Sequence, residues 1–142
     1  MDKPIAGYGW FIKRIDNALE KEANQNLQAL NLTMQQNRVL ILLAHAEEHT
    51  LSLKTLEEHF GAAQSTIAGL VSRLEKKGLI EAVTSPADRR VKLVRLTEEG
   101  AHVHAKSRQN VVDSEARLTS NLSPEEREIF LNCLKKVYET VK

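Results

Sequence analysis

The sequence predicts a mainly α-helical fold with one small β-hairpin. Two observations predict it: apolar residues recur at helical spacing along most of the chain, and two short β-branched runs flank a single basic turn. The chain has 142 residues, of which 42% are apolar and 27% are charged, an ordinary composition for a globular protein. We therefore expect residues 1–142 to form a single domain.

Apolar stripes and capping residues predict the helices in order. A first helix lies within residues 1–30, where apolar side chains recur three and four residues apart: Ile5, Tyr8, Ile12, Ile15 and Leu19. Five further helices are predicted to start at a capping side chain or at the beginning of an amphipathic stripe: Thr33, Ser52, Gln64, Thr97 and Ser123. Gly61 and Gly78 end the third and fourth helices.

The strands and turns complete the predicted architecture. Residues 47–50 read as a polar turn, and residues 79–84 and 91–96 read as two strands around the turn 85–90. Two short helices joined by a tight turn and followed by a basic hairpin outline a winged helix-turn-helix. We expect a DNA-binding lobe at about residues 33–97, with dimerisation helices at about 1–30 and 98–142.

Charge is concentrated in one part of the chain. The net charge is +1, yet residues 64–95 hold seven basic and three acidic residues, a local charge of +4, which leaves −3 elsewhere. A basic block in an otherwise acidic chain is typical of a phosphate-binding face, although a solvated charged surface gives a similar count.

The fourth helix and the hairpin tip carry the candidate DNA contacts. Small and basic side chains lie opposite the apolar stripe of this helix: Ser65, Gly69, Ser72, Arg73 and Lys76. Such a surface can enter a major groove, whereas the alternative is an ordinary solvated helix. Arg89 and Arg90 form a tip small enough for a minor groove. Asp88 is expected either to orient an arginine or only to form the turn.

Three blocks resemble the MarR family of bacterial regulators: LEKKGLI at 74–80, DRR at 88–90 and LTEEG at 96–100. The resemblance implies an obligate homodimer, a pseudo-palindromic DNA site, and repression relieved by a small ligand. It assigns Asp88 and Arg90 to the wing and four residues to the recognition helix: Gln64, Ser65, Thr66 and Arg73. Three positions depart from the family pattern. Ala63 replaces a common serine cap, Gly69 replaces a common basic residue, and Ala82 replaces an arginine that often follows the strand.

Apolar stripes at both ends of the chain predict a dimer. Neither end can be buried against a small winged-helix core alone, and the last helix carries a second stripe: Ile129, Phe130, Cys133, Leu134, Val137 and Val141. A symmetric interface would cover both stripes and place two recognition helices on one face of DNA. The alternative is that both ends pack within one chain.

A ligand site and a sensing role are weaker expectations. An aromatic cluster with one cation near the start suits a small aromatic or phenolic effector, although ordinary packing would use the same residues: Tyr8, Trp10, Phe11 and Arg14. By resemblance, such pockets lie where dimerisation helices meet the DNA-binding lobe. We expect no metal and no cofactor. Two alternatives are a redox role for Cys133 and a zinc site at His45 and His49 that His59 or nearby glutamates would complete.

Other classes of function fit the sequence less well. The sequence contains neither a phosphate-binding glycine loop nor a nucleophile elbow, so no motif of this kind indicates an enzyme. A winged-helix dimer that binds another protein stays as the main alternative. A single cysteine and the lack of a long apolar segment predict a cytoplasmic protein outside the membrane.

Overall fold

The computed structural model describes residues 5–142, which contain six α-helices, one 3₁₀ turn and three β-strands. In chain order these are α1 Tyr8–Ala29, α2 Met34–His45, the 3₁₀ turn Glu47–His49, β1 Thr50–Ser52, α3 Leu53–Phe60, α4 Gln64–Lys76, β2 Ile80–Thr84, β3 Lys92–Leu96, α5 Glu98–Leu118 and α6 Pro124–Val141. The mainly helical fold with a small wing is confirmed. Across the described residues, no helix has the length and apolar character needed to span a bilayer.

The chain divides into two compact units, one ending at Asn110 and the other comprising Val111–Lys142. Helix α5 passes from the first unit into the second. The first unit contains the sheet and helices α1 to α4, whereas the second contains the end of α5 and all of α6.

Side-chain caps form where the sequence predicts them. Thr33 Oγ1 accepts a hydrogen bond from the backbone of Gln36 at 3.1 Å, and the Gln36 side chain accepts one from Thr33 N at 3.2 Å. Ser123 and Glu126 form the same reciprocal box at the start of α6. Each box satisfies two backbone donors that a helix start otherwise leaves without partners. These local contacts explain why the helix starts were predictable.

The sheet contains one strand, β1, that no sequence pattern predicted. Its order is β1-β3-β2 with antiparallel pairing, and Leu51 of β1 lies opposite Val94 of β3. The prediction of a polar turn through Thr50 was wrong at that residue, since β1 begins there. Three residues are too few to show strand alternation, and the hydrogen-bonding partner of β1 lies far along the chain.

The hydrophobic core lies in the first unit, between α2, α3, α4 and the sheet. Its largest completely buried side chains are Leu40, Leu43, Leu56, Ile67, Leu74, Val39 and Val94. Leu27 and Leu30 at the end of α1, and Val103 on α5, pack against this core while staying partly exposed. The core therefore supports α4 and the wing as one compact structure.

Backbone packing at Gly100 joins the wing to α5. Thr97 caps α5 by accepting a hydrogen bond from Gly100 N at 3.0 Å, and its hydroxyl donates to Gly78 O at 2.6 Å. A Cβ placed on Gly100 would lie 2.0 Å from the carbonyl oxygen of Leu79. Only glycine allows the first turn of α5 to approach the backbone of Leu79, just after α4, this closely.

The second unit has little buried surface of its own. Helix α6 contains no buried residue, and large apolar side chains are exposed along it: Ile129, Leu131, Leu134, Val137, Tyr138 and Val141. Helix α1 in the first unit likewise contains no buried residue. Most apolar side chains of the stripes predicted at the chain ends are thus exposed in the isolated chain, although Ile5 precedes α1 and both Leu19 and Phe130 are half-buried.

Candidate nucleic-acid interface

Helix α4 has an inner and an outer face. Ile67, Leu70, Val71 and Leu74 are buried and hold the helix on the core. The predicted contact residues on the outer face are exposed, apart from the half-buried Gly69: Gln64, Ser65, Thr66, Ser72, Arg73 and Lys76. The outer face of α4 is thus a polar, partly basic surface that combines small side chains with two long basic ones.

Gly69 lies beside the arginine one turn later. A Cβ built on Gly69 would be 3.7 Å from Nη1 of Arg73, an ordinary van der Waals distance. The Arg73 guanidinium therefore lies close to the helix backbone at Gly69. Residues four apart share one face of a helix, so this glycine leaves space in which the arginine can move.

The start of α4 has no side-chain cap. Ala63 occupies the N-cap position with extended backbone geometry, and its methyl group cannot accept a hydrogen bond. The N-cap residues of α2, α3 and α6 all provide such an acceptor. The positive end of the α4 dipole therefore faces outward without a side-chain oxygen over it.

Asp88 and Arg90 form a compact hydrogen-bonded pair at the wing tip. Asp88 Oδ1 accepts hydrogen bonds from the backbone N of Arg90 at 3.0 Å and from its Nε at 3.2 Å. The backbone donor, followed by the guanidinium, lowers the pKa of Asp88 below its ordinary value. The Arg90 side chain is 91% exposed. The aspartate thus holds the Nε–Nη2 edge of the Arg90 guanidinium, and the rest of this exposed head group can contact a ligand.

A groove between α4 and the wing brings further candidate residues together. It has a volume of about 440 Å³ and is lined by Ser72 and Glu75 of α4 together with Arg89 and Lys92 of the wing. The floor includes the apolar side chains Leu53, Val71, Val83 and Val94. One continuous surface therefore joins the outer face of α4 to the hairpin.

Two members of the predicted basic block bind other parts of this chain. Arg95 Nη2 lies 2.7 Å from Glu81 Oε1 across the hairpin, and Lys77 Nζ donates to the Asn31 carbonyl and the Gln36 side chain. Both cations thus make hydrogen bonds within the chain that the charge count does not reveal. The hairpin register, which places Glu81 opposite Arg95, could have revealed the first pair from sequence. Nothing local to Lys77 could have revealed the second.

The proposed ligand residues lie at the start of α1 and are exposed. Trp10 and Phe11 meet edge to face with ring centroids 5.0 Å apart, and the Arg14 guanidinium lies 5.1 Å from the centre of the Trp10 ring. Tyr8 is 91% exposed. The structure thus joins three of the four residues in a surface cluster and leaves Tyr8 in solvent.

The alternative sensing residues have simpler surroundings. His45 Nδ1 donates to Ile41 O at 2.9 Å, and His49 Nδ1 donates to Ala44 O at 3.1 Å. Among residues 5–142, no three histidine, cysteine or acidic side chains are grouped so that they could hold a metal ion. Cys133 is a free cysteine on the α6 stripe and is exposed in the isolated chain.

Sequence comparisons point to one family of regulators. The profile of the MarR family matches residues 32–92. The HTH-type transcriptional regulator YfiV of Bacillus subtilis is 33% identical over 116 residues, which cover 80% of this chain and 71% of that protein. For two further curated relatives, the match spans 62% and 53% of their length.

Solved structures of similar shape agree with this result. A mutant of MepR from S. aureus bound to an oligodeoxyribonucleotide has a TM-score of 0.82 and 25% identity, covering 97% of this chain and all 100% of that one. The apo form of MarR from E. coli has a TM-score of 0.70 and 28% identity, covering 95% of this chain and 98% of that one. The winged-helix fold predicted from the sequence is confirmed.

Proposed function

Because this chain belongs to the MarR family, it is a transcriptional regulator and not an enzyme, and we propose that it represses genes by binding a specific double-stranded DNA site. In this proposal the protein acts in the cytoplasm as a homodimer on a pseudo-palindromic operator, and a small ligand releases it. The observation that carries the proposal is the exposed polar face of α4 beside two wing arginines, on one compact lobe.

The dimensions of α4 suit a major groove. Its 13 residues give a helix about 20 Å long, and a B-DNA major groove about 12 Å wide admits one helix. Serine and threonine hydroxyls can donate to or accept from base edges, and Arg73 can bind guanine with two hydrogen bonds. The uncapped first turn gives phosphate oxygens access to backbone donors at the positive end of the dipole.

The wing tip suits a minor groove. Arg90 is exposed and one edge of its guanidinium is held by Asp88, so less conformational entropy is lost when it binds. Narrow A·T-rich minor grooves concentrate negative potential and attract arginine. We therefore propose that α4 reads bases while Arg90 reads groove width.

The homodimer is supported by the uncovered apolar faces. Neither α1 nor α6 contains a buried residue, although both carry large apolar side chains. Exposing such faces to water is unfavourable, and a symmetric dimer would remove them from solvent. Two copies of α4 related by a two-fold axis would meet successive major grooves about 34 Å apart.

The first experiment is selection of bound duplexes from a random DNA pool with wild type, Arg73→Ala and Arg90→Ala. We expect wild type to enrich a pseudo-palindrome and each variant to lose about 1–3 kcal/mol of specific binding energy. Arg95→Ala is the matched control, since it removes a wing arginine that lies away from the tip and is 49% exposed, compared with 91% for Arg90. We expect its binding to stay near that of wild type.

The outcomes separate DNA binding from protein binding. A steep linear fall of log affinity with log salt supports several phosphate contacts. If folded wild type enriches no sequence, the proposal fails, and binding of a protein partner becomes the better hypothesis. If Arg90→Ala and Arg95→Ala weaken binding equally, net charge and not the wing tip is responsible.

The effector can be tested through the single tryptophan of the chain. If an aromatic acid binds the cluster of Trp10, Phe11 and Arg14, titration with 4-hydroxybenzoate will change Trp10 fluorescence and lower DNA affinity together. Arg14→Ala should abolish both effects. Transcription in vitro from a promoter carrying the selected site tests repression, and the acid should restore it. A response of DNA binding without any change in Trp10 fluorescence would place the effector elsewhere.

A further inference from the structure

Two adjacent lysines at the end of α4 have opposite surroundings. Lys76 is exposed, whereas Lys77 is half-buried and its ammonium group is hydrogen-bonded within the chain. Lys77 Nζ donates to the backbone carbonyl of Asn31 and to Oε1 of Gln36, the latter at 2.7 Å. The same local sequence thus produces one surface cation and one internal tie.

The acceptors of Lys77 lie at the junction of α1 and α2. Asn31 follows α1 with a left-handed φ of 55°, and Gln36 lies in the first turn of α2. Gln36 is only 4% exposed, and its Oε1 also accepts from Thr33 N at 3.2 Å. One ammonium group therefore joins the end of α4 to the end of α1 and the start of α2.

The chemistry of this tie favours a well-defined geometry. Hydrogen bonds from a charged donor are shorter and stronger than neutral ones. The last turn of α1 contains no basic side chain, so the Lys77 ammonium provides a positive charge near the negative end of that helix dipole. Partial burial also reduces the screening that weakens exposed ion contacts.

We propose that Lys77 is a positioning residue that holds the recognition helix at a fixed angle to α1 and so sets the half-site spacing that the dimer accepts. This inference rests on the proposed function, in which α1 contributes to the dimer and α4 enters DNA. A rotation of about 10° moves the far end of a helix about 20 Å long by about 3.5 Å, close to one base-pair step. Loss of the Lys77 hydrogen bonds should therefore weaken the preference of the dimer for one half-site spacing.

The test compares Lys77→Met with Lys76→Met, two variants that remove the same charge one residue apart. Each is titrated with the selected palindrome, with a version whose half-sites are one base pair further apart, and with a single half-site. We expect Lys77→Met to lose about tenfold affinity for the native spacing while half-site affinity and the salt slope stay unchanged. Its preference between the two spacings should shrink.

The control variants should behave differently. Lys76→Met should keep the spacing preference and reduce the salt slope by about one, as expected for a lost phosphate contact. Lys77→Arg retains charged donors and should restore the preference. Unchanged half-site binding by Lys77→Met would also show that its DNA-binding lobe is folded. An equal loss on half-site and palindrome, or a spacing preference equal to that of wild type, overturns the proposal.

A readout without DNA separates this inference from the proposed function. Spin labels on Ser72→Cys in a Cys133→Ser background report the distance between the two copies of α4 in the homodimer. Lys77→Met should broaden this distance distribution relative to Lys76→Met, whether or not DNA binds. An unchanged distribution, or a monomeric wild-type chain, overturns the positioning role. Failure of folded wild type to bind DNA would instead refute the proposed function.

Discussion

Residues 32–96 bury a hydrophobic core, whereas the two terminal helices, α1 and α6, leave most of their large apolar side chains exposed. Every buried hydrophobic residue found among residues 5–142 lies between Leu32 and Leu96, whereas α1 and α6 bury none. The first region satisfies its apolar surface within one chain. The second exposes apolar faces that only a further surface could cover. The contrast indicates that the lobe carries the stability of the monomer, and that the ends are available for assembly.

The largest expected effect comes from opening a cavity in the lobe. Leu40 is completely buried, so Leu40→Ala should lower the free energy of unfolding by about 2–5 kcal/mol. Leu134→Ala removes the same atoms from a side chain that is 41% exposed on α6. Thermal unfolding at several protein concentrations distinguishes the two. The loss in Leu40→Ala should be independent of concentration, whereas that in Leu134→Ala should shrink on dilution, because the wild-type chain then loses the same dimer contacts. A concentration-independent loss in both would contradict the division.

A second pair of variants compares Gly100, which packs against Leu79 in the first region, with a glycine of α1. Gly100→Ala should lower the free energy of unfolding by at least about 2 kcal/mol, because its Cβ would lie 2.0 Å from the Leu79 carbonyl oxygen. Gly9→Ala in α1 meets no atom within 4 Å and should leave stability unchanged or raised by up to about 1 kcal/mol. Denaturant titration measures both. Equal effects would mean that the close approach at Gly100 can relax.

A smaller effect of opposite sign is expected within the lobe at the proposed interface. Gly69→Ala has an open position for its methyl group and should raise the free energy of unfolding by about 0.5–1 kcal/mol. The added methyl group would also restrict Arg73, so we expect affinity for the selected duplex to fall. Calorimetry and a binding titration measure the two quantities. A variant that is both more stable and equally tight in binding would remove Gly69 from the proposed contacts.

The smallest expected effect concerns pH at a histidine that joins α5 to the lobe. Burial, followed by the charges of His45 and Arg108, lowers the pKa of His104 below its ordinary 6.5, and its Nδ1 has no hydrogen-bond partner. Below about pH 6.5 the unfolded chain takes up a proton that the native ring resists, so stability falls as the pH decreases. In His104→Gln this contribution should vanish, leaving a shallower fall between pH 7 and 5 in urea titrations. An unchanged slope would contradict it.

Local patterns were the predictable part of this molecule. The capping boxes at Thr33 and Ser123 and the glycine ends at Gly61 and Gly78 join residues only a few positions apart. Spacing alone therefore identified them. The inner face of α4 was predictable for the same reason, because helical periodicity fixes which side chains share a face.

Long-range contacts escaped prediction. The pairing of β1 with β3 and the acceptors of Lys77 depend on residues that lie tens of positions apart in the chain. No local pattern distinguishes Lys77 from Lys76, and the charge count treated them alike. Arg95 was an intermediate case, since a correct hairpin register would have shown Glu81 opposite it.

The sequence by itself determined the order of the elements, the inner faces of the helices and the family of the chain, because each depends on the types of nearby residues. Tertiary structure alone decided which cations stay free for a ligand, how closely α5 approaches the end of α4, and which apolar faces stay uncovered. Those properties depend on distances between segments that meet only after folding. A charged or apolar side chain acquires its role from the partner that it finds there.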